Sequence, residues 1–282
     1  MRRFRAALTL AALAVLAVPA TPAVAHSGGH HGRAFDLEAH RGGRGLRPEN
    51  TLASFGKALQ LGVTTLELDT AITKDGVVLV THEPKILSLQ CQDTGGNHFV
   101  GQLVKDLTLA QLKTLDCGRR TTSDPADPFV GTIEPVPGTR MPTLDEVFAL
   151  AERYGARDVQ FNIETKIDPE RPGDTVGPFA FTAKVLDVIR RHHAVDRSLL
   201  QSFDWRTLVI ARHLEPRLRR VALGDATTIF PGSPWTAGIR IPRDALRGSL
   251  ADVIADKLRA HVVSLDATIL TDRLIRRSHR SS

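Results

Sequence analysis

Two carboxylates separated by one residue carry the clearest chemical signal in this 282-residue chain. Glu67 and Asp69 flank Leu68 within an apolar run that is typical of a strand. Because side chains alternate between the two faces of a strand, both carboxylates point to the same face. Carboxylates crowded on one face repel each other unless a proton or a cation lies between them. Hard divalent ions prefer oxygen ligands, so the pair predicts a metal site.

A predicted hairpin brings a histidine towards this pair. Asp75-Gly76 stands between two apolar runs, which is a strong short-range hairpin signal. Folding the chain there would bring Asp69 level with His82, because each lies about six residues from the turn. The hairpin is therefore expected to add an imidazole at the height of the carboxylates.

A second histidine follows the first predicted strand, Phe35 to Ala39. His40 ends this strand and is followed by Arg41 and a glycine-rich loop, where the backbone could approach a phosphate closely. Two imidazoles, an arginine and a metal are suited to acid–base chemistry on a phosphate ester. A third polar stretch, Val159 to Lys166, alternates like a strand; alone it would be interpreted as a solvated face.

Taken together, several motifs resemble those of the glycerophosphodiester phosphodiesterase family. They are His40-Arg41-Gly42, Pro48-Glu49-Asn50-Thr51, Glu67-Leu68-Asp69, Thr73-Lys74-Asp75-Gly76, His82 and Asn162-Ile163-Glu164-Thr165-Lys166. The resemblance runs from about Ala34 to the end of the chain, and the motifs are specific only as a set. One departure is Glu83, where the family usually has aspartate.

This resemblance implies a metal-dependent hydrolase of small glycerophosphodiesters, with glycerol 3-phosphate and an alcohol as products. It implies a role for each of seven residues: Glu67, Asp69 and Glu164 hold a divalent metal, Ca²⁺ or Mg²⁺, Arg41 and Lys166 bind substrate, and His40 and His82 act as general acid and base. It also implies that the substrate's own glycerol hydroxyl attacks first and that water then opens a cyclic phosphate. Glu49 is interpreted as bracing a loop, and either Asn50 or Thr51 is expected to cap a helix.

Strands alternate with helices along the chain, which predicts an α/β fold with a parallel sheet and helical crossovers. Active residues at the ends of several strands favour a (β/α)8 TIM barrel, and the resemblance implies the type shared with phosphatidylinositol phospholipase C. Six barrel strands are expected, beginning near Phe35, Thr65, Val159, Leu199, Arg219 and His261. The family's later strands find no match, so the barrel is expected to lack about two β/α units.

The predicted domain organisation has three parts. Residues 1–25 have a basic start, an apolar run and the small-x-small ending Ala23-Val24-Ala25, as in a secretory signal peptide. Residues 26–33 are expected to form a flexible His/Gly linker, although a metal site there is an alternative. The barrel would occupy residues 34–282, with an insertion at about 84–142 over the mouth of the site. The chain is therefore expected to be secreted.

The chain has two cysteines, Cys91 and Cys117, and both lie in the predicted insertion. In a secreted protein such a pair suggests one disulfide, with two free thiols as the alternative. The bond would close a loop of about 26 residues and contribute about 3 kcal/mol to stability.

Composition argues against two classes of partner. The formal charge of +6 is concentrated at the two ends: Arg2, Arg3 and Arg5 lie in the predicted signal peptide, and the last twelve residues hold four arginines and one acid. The balanced body offers no basic patch for nucleic acid. After the signal peptide, no stretch is long and apolar enough for a stable membrane span. The oligomeric state is left open.

Two other functions stay open at this point. A related phosphodiesterase acting on a phospholipid or teichoic acid would need an apolar rim, which two tryptophans and one tyrosine hardly provide. A catalytically inactive secreted module would keep the metal site without turnover. A glycosidase also uses paired carboxylates, but it would not explain His40, Arg41 and His82.

Overall fold

Seven strands form one sheet, in which six strands run parallel. In this computed structural model, which describes residues 35–119, 128–129 and 131–279, the strands are β1 (Glu38–Ala39), β2 (Thr65–Ile72), β3 (Val78–Val80), β4 (Gln160–Thr165), β5 (Ser198–Ser202), β6 (Arg219–Gly224) and β7 (Val262–Leu265). Their spatial order is β1-β2-β4-β5-β6-β7, and β3 pairs antiparallel with β2. The six parallel strands form an incomplete barrel, as predicted. The predicted signal peptide (1–25) and linker (26–33) lie outside the described residues.

Helices follow the strands in the expected alternation. They are α1 (Leu52–Leu61), α2 (Leu109–Leu112), α3 (Leu144–Arg153), α4 (Pro178–Arg191), α5 (Trp205–Leu214), α6 (Leu250–Val253, continuing as a π-helical turn over Ile254–Leu258) and α7 (Asp272–Ser278). Threonine side chains begin four of them, α1, α2, α3 and α7. Thr51 and Thr143 accept the backbone N–H groups of Ser54 and Glu146 at 3.2 and 3.1 Å, and Thr108 caps α2 in the same way. Each cap satisfies a backbone donor that has no partner inside the helix.

The main core lies between the sheet and its helices. Phe148 of α3 packs on Phe161 of β4, with ring centroids 4.5 Å apart. Trp205 at the start of α5 is fully buried and donates its indole N–H to the carbonyl of Leu223 at 3.0 Å. Because these apolar side chains take one face of the strands, the alternating residues point to the opposite, concave face. That face carries the polar side chains of the candidate site.

The β2–β3 hairpin corrects one expectation about register. Thr70 lies opposite Val80, and the Thr81 N–H donates to the carbonyl of Asp69 at 3.0 Å. Asp69 is therefore level with Thr81, and His82 lies one residue further along. The turn encloses three residues, 74–76, because Thr73 pairs with Val77 at 3.0 Å. An odd-numbered turn moves the register by one residue from the predicted one.

The C-terminal helix is shorter than predicted. The sequence favours a continuous helix from Thr268 to His279 with Ile269, Leu270, Leu274 and Ile275 inward, but residues Ala267–Ile269 form a separate 3-10 turn. Thr271 then begins α7 by accepting the Leu274 N–H at 3.2 Å. Leu274 is buried, whereas Ile275 is 42% exposed. The interruption arises because the extended Thr271 favours the cap over a helical conformation.

The described part of residues 84–142 forms a second, smaller core beside the β2–β3 hairpin. Ala71 and Leu79 of the hairpin pack in it together with Ile86, Cys91, Val104, Leu107, Leu112, Leu115, Cys117 and Met141. Cys91 and Cys117 form the predicted disulfide. Next to the bond, Gln92 and Asp116 exchange backbone hydrogen bonds of 2.8 and 2.9 Å. The disulfide therefore holds the two ends of this segment together.

No helix among the described residues is both long and apolar enough to cross a membrane. The longest, α4, has 14 residues, and its exposed face carries charged side chains such as Asp187 and Arg191.

Replacing both cysteines by alanine is expected to lower the free energy of unfolding by about 3 kcal/mol, because the disulfide closes a 26-residue loop. Urea denaturation of wild type and of the Cys91→Ala/Cys117→Ala variant measures the difference. Since the chain has no other cysteine, wild type with reducing agent should match the double variant. Equal stability of oxidised wild type and variant would contradict this contribution.

Candidate active site

Gly42 fixes the loop after β1, because a side chain at this position would displace neighbouring atoms. Gly42 has φ +76°, and a Cβ there would lie 2.6 Å from the Ser54 hydroxyl oxygen and 2.7 Å from the Phe55 ring. Arg41 also has left-handed backbone, with φ 51°. Its backbone N–H donates to Glu67 Oε2 at 2.6 Å. The close packing on α1 therefore holds Arg41 against the carboxylates of β2.

Three carboxylates converge on the concave face of the sheet. Glu67 and Asp69 come from β2, and the β2–β4 register places Glu164 directly beside Asp69. One oxygen atom from each carboxylate lies within 4.8 Å of the other two, and all three residues are buried. The predicted metal ligands are therefore brought together, although Glu164 lies almost 100 residues after Glu67 and Asp69 in the chain.

Each carboxylate has polar partners. Glu67 Oε1 accepts a hydrogen bond from the Gln201 side-chain amide at 2.7 Å. Asp69 Oδ2 accepts one from the Asn50 side-chain amide at 2.8 Å, and Glu164 Oε1 accepts one from Lys166 Nζ at 2.9 Å. These bonds fix the orientation of the carboxylates and leave the cluster with more negative charge than its contacts neutralise.

Burial and repulsion change how the cluster holds protons. Burial raises the pKa of Glu67 well above its usual range, and the neighbouring Asp69 charge raises it further. Burial likewise raises the pKa of Glu164 to about 7. Although burial opposes it, the nearby charges of Lys166 and Arg41 and the hydrogen bond from Asn50 lower the pKa of Asp69. A divalent cation would replace these protons, which is why the cluster fits a metal.

A chain of hydrogen bonds links the carboxylates to His82. Lys166 Nζ lies 3.0 Å from His82 Nε2, and His82 Nδ1 lies 2.6 Å from Glu83 Oε1. Burial opposes protonation of Lys166, but the charges of Glu164 and Asp69 raise its pKa, so it remains an ammonium. An ammonium can only donate, so Nε2 accepts and Nδ1 carries the hydrogen that goes to Glu83. This tautomer directs the Nε2 lone pair towards Lys166, on the side of the carboxylate cluster.

His40 begins the loop that connects β1 to α1, and it is exposed. Its carbonyl accepts the N–H groups of Gly43 and Arg44 at 2.9 and 3.1 Å, which closes the turn. Partial desolvation of the ring and the charge of Arg41 lower the pKa of His40, and Asp69 opposes them. Its side chain is therefore accessible to a substrate at the edge of the site.

Glu49 contacts the loop rather than the carboxylate cluster. Its carboxylate lies 2.9 Å from Arg41 Nη1 and 3.2 Å from Arg44 Nε. Gln90, from the segment 84–142, also donates to it at 3.2 Å. These contacts agree with the interpretation of Glu49 as a residue that braces the loop.

Two residues of the site were not identified from the sequence. Asn50 does not cap α1, since Thr51 does; with φ 54° it turns its amide to Asp69. Gln201 is a buried amide within the largely apolar strand β5 and lies beside Glu164 in register. The signal for Gln201 was a polar residue in an apolar run, but its partner Glu67 depends on a pairing that the sequence does not reveal.

Comparison with known proteins identifies the family whose members this chain resembles. Residues 40–281 match the Glycerophosphoryl diester phosphodiesterase family. A Glycerophosphodiester phosphodiesterase of Caldanaerobacter subterraneus subsp. tengcongensis is 30% identical over 218 residues, covering 77% of each chain. One of Bacillus subtilis is 34% identical over 188 residues, covering 67% of this chain but 59% of the relative.

Solved structures agree in fold. A putative glycerophosphoryl diester phosphodiesterase from Silicibacter pomeroyi has a TM-score of 0.73 and 26% identity, covering 87% of this chain and 79% of its own. An Oleispira antarctica phosphodiesterase, solved with the product sn-glycerol-3-phosphate, has a TM-score of 0.63 and 22% identity, covering 88% and 81%; this likeness concerns the fold alone. Since the family match spans most of the chain and includes every residue of the carboxylate cluster, the chain belongs to the glycerophosphoryl diester phosphodiesterase family.

Proposed function

We propose that this chain is a metal-dependent enzyme that hydrolyses small glycerophosphodiesters to glycerol 3-phosphate and an alcohol. The observation that carries the proposal is the buried cluster of Glu67, Asp69 and Glu164, with Arg41 and Lys166 in contact with it. The names of the curated relatives support the same reaction.

The three carboxylates of the cluster would hold the divalent cation, Ca²⁺ or Mg²⁺. They offer hard oxygen ligands on rigid strands, and their mutual repulsion needs a counter-charge. When bound, such a cation neutralises negative charge on the phosphoryl oxygens. Gln201 and Asn50 keep the carboxylates of Glu67 and Asp69 oriented through the hydrogen bonds described above.

Arg41 and Lys166 bind the oxygens of the phosphodiester. Arg41 Nε lies 3.4 Å from Asp69 Oδ2, and its Nη1 lies 2.9 Å from Glu49, so the planar guanidinium is held in place. Lys166 reaches Glu164 at 2.9 Å and Asp69 at 3.9 Å. Both cations therefore lie where they can meet a phosphate beside the cluster.

The two histidines move protons. When Lys166 turns from His82 Nε2 to the phosphate, Nε2 is free to take the proton from a glycerol hydroxyl of the substrate, while Glu83 stabilises the imidazolium that forms. The hydroxyl oxygen bonds to phosphorus, the bond to the alcohol breaks, and His40 gives the leaving oxygen a proton. The resulting cyclic glycerol phosphate is opened by water with the two roles reversed, which restores both histidines.

Replacing either histidine by alanine is expected to lower kcat/KM by about 100-fold to 10,000-fold, because each removes a proton-transfer group. The assay is release of glycerol 3-phosphate from glycerophosphocholine with Ca²⁺ or Mg²⁺. His213→Ala, an exposed histidine on α5, is the control and should keep wild-type activity. Near wild-type turnover by His40→Ala would refute its role. The wild-type pH profile is expected to be bell-shaped.

The raised pKa values also predict how stability depends on pH. Between the ordinary carboxyl pKa of 4.5 and the folded-state value of about 7, Glu164 binds a proton in the folded chain but not in the unfolded chain. Glu67 acts in the same direction. Because the folded state binds more protons, this site makes the metal-free protein less stable as pH rises through that range.

A bound cation is expected to reverse this trend, since it binds the deprotonated carboxylates. Melting temperatures with chelator, Ca²⁺ or Mg²⁺ at about pH 5 and about pH 8 test this, and the metal-induced rise should be larger at the higher pH. Glu164→Gln should lose most of that rise. The same rise at both pH values, or a full rise in Glu164→Gln, would contradict the metal assignment.

We further propose that residues 1–25 are a signal peptide and that the chain is secreted. The Cys91–Cys117 disulfide supports this, because such bonds persist in oxidising compartments. Protein isolated from the culture medium of an expressing bacterium is expected to begin at His26 when its N-terminus is sequenced. Uncleaved protein found only inside the cells would refute secretion.

A further inference from the structure

A cavity of about 370 Å³ opens beside the groups that are proposed to bind the phosphate. His82, Glu164 and Lys166 line its inner end. Asp168 and Asp225, which follow β4 and β6, line its outer part. A phosphodiester that is held at Lys166 can therefore extend one of its two arms into this space. The chemistry of the walls indicates which arm fits.

Negative charge predominates among the side chains that line the cavity. Apart from Glu164, four carboxylates line it, those of Glu83, Asp168, Asp174 and Asp225, but Arg171 is the one arginine among its described lining residues. Arg171 Nε donates to Asp168 at 2.8 Å and lies 3.9 Å from Asp174. Because the Arg171 side chain is 70% exposed, it neutralises only the rim.

Asp225 is a fixed charge in this wall. Its Oδ1 accepts the backbone N–H groups of Thr227 and Thr228 at 2.8 and 2.9 Å. Burial opposes ionisation, but these hydrogen bonds lower the pKa of Asp225, so it is a carboxylate at neutral pH. It forms no salt bridge with any residue that the structure describes. A cation inside the cavity would therefore face a carboxylate whose charge no described side chain neutralises.

Two aromatic rings complete the wall. Phe203 follows β5, and Trp235 lies in a 3-10 turn, Pro234–Thr236. The Trp235 backbone N–H donates to Ser233 Oγ at 3.2 Å, and this hydroxyl donates to the carbonyl of Thr228. The tryptophan is thus tied to the loop that holds Asp225. Aromatic faces attract cations, and aromatic groups with carboxylates recognise quaternary ammonium groups.

We propose that this cavity binds the alcohol arm of the substrate and selects a cationic amino alcohol, a quaternary ammonium alcohol above all. This inference rests on the proposed diesterase function and specifies its substrate class. A neutral polyol arm would gain nothing from the excess negative charge, and an anionic arm would be repelled. The glycerol arm then extends from the phosphate on the side away from this cavity.

A pair of substrates with one shape and different charge tests this selection. Glycerophosphocholine and its 3,3-dimethylbutyl analogue differ in that a neutral carbon replaces the quaternary nitrogen. We expect kcat/KM to favour the choline ester by about tenfold or more, the size of a desolvated cation–aromatic contact plus a facing carboxylate. Equal kcat/KM for the two esters would overturn the selection while leaving the diesterase function intact.

Substitutions in the cavity wall test whether the preference for the choline ester arises in this cavity. Asp225→Asn retains the oxygen that accepts the loop N–H groups but removes the charge, and it should lower the choline preference to about threefold or less. Trp235→Leu should lower it similarly. Asp196→Asn removes a charge from an 81% exposed acid that pairs with Arg217 and does not line the cavity; it should keep the wild-type ratio. An unchanged ratio in Asp225→Asn and Trp235→Leu would overturn the assignment to this cavity.

A binding measurement that needs no hydrolysis distinguishes the proposed cation site from the proposed diesterase function. Isothermal calorimetry with choline and with 3,3-dimethylbutanol measures the preference of the cavity directly. Tighter binding of choline that is lost in Asp225→Asn supports the cavity, and equal affinities would overturn it. If neither ester is hydrolysed but choline is still preferred, the diesterase function fails and the cation site stands.

Discussion

Burial of three carboxylates within 4.8 Å of one another is the constraint on which the rest of the site depends. In a low-dielectric environment such charges repel strongly, and protonation or a counter-charge must offset the repulsion. Despite this repulsion, the fold places the carboxylates on neighbouring strands, where Glu164 lies beside Asp69 in register. Rigid strands prevent the carboxylates from moving apart. The site therefore retains an unfavourable concentration of charge that a divalent cation can relieve.

Lys166 connects this electrostatic constraint to the chemistry. It lies two residues after Glu164 on the same strand face, so its ammonium reaches back to Glu164 and also meets His82 at 3.0 Å. Through that contact, the charge that balances the carboxylates also determines which nitrogen of His82 carries the hydrogen. Glu83 completes the chain at 2.6 Å. The departure from the family's usual aspartate still supplies a carboxylate, because glutamate also reaches the ring from this position.

The sequence was most informative where the relevant information is local. The period of two predicted that Glu67 and Asp69 share a face, and the Asn50-Thr51 pair predicted where a helix begins. It was less informative where the outcome depends on pairing between distant segments. Gln201 contacts Glu67 because β5 lies beside β4, and the hairpin register depends on a three-residue turn rather than on the Asp-Gly pair itself. The walls of the cavity come from the ends of four strands and a loop, so no single motif could reveal them.

The charge balance of the site explains why cation and substrate should bind together. Counting the groups in contact with the cluster, three ionised carboxylates face Arg41 and Lys166, which leaves one excess negative charge. A divalent cation changes this excess to one positive charge, and a phosphodiester carries one negative charge that neutralises it. A phosphomonoester product carries close to two negative charges at neutral pH, because its second pKa is about 6. The balance therefore favours the monoanionic diester over its product, which would assist product release.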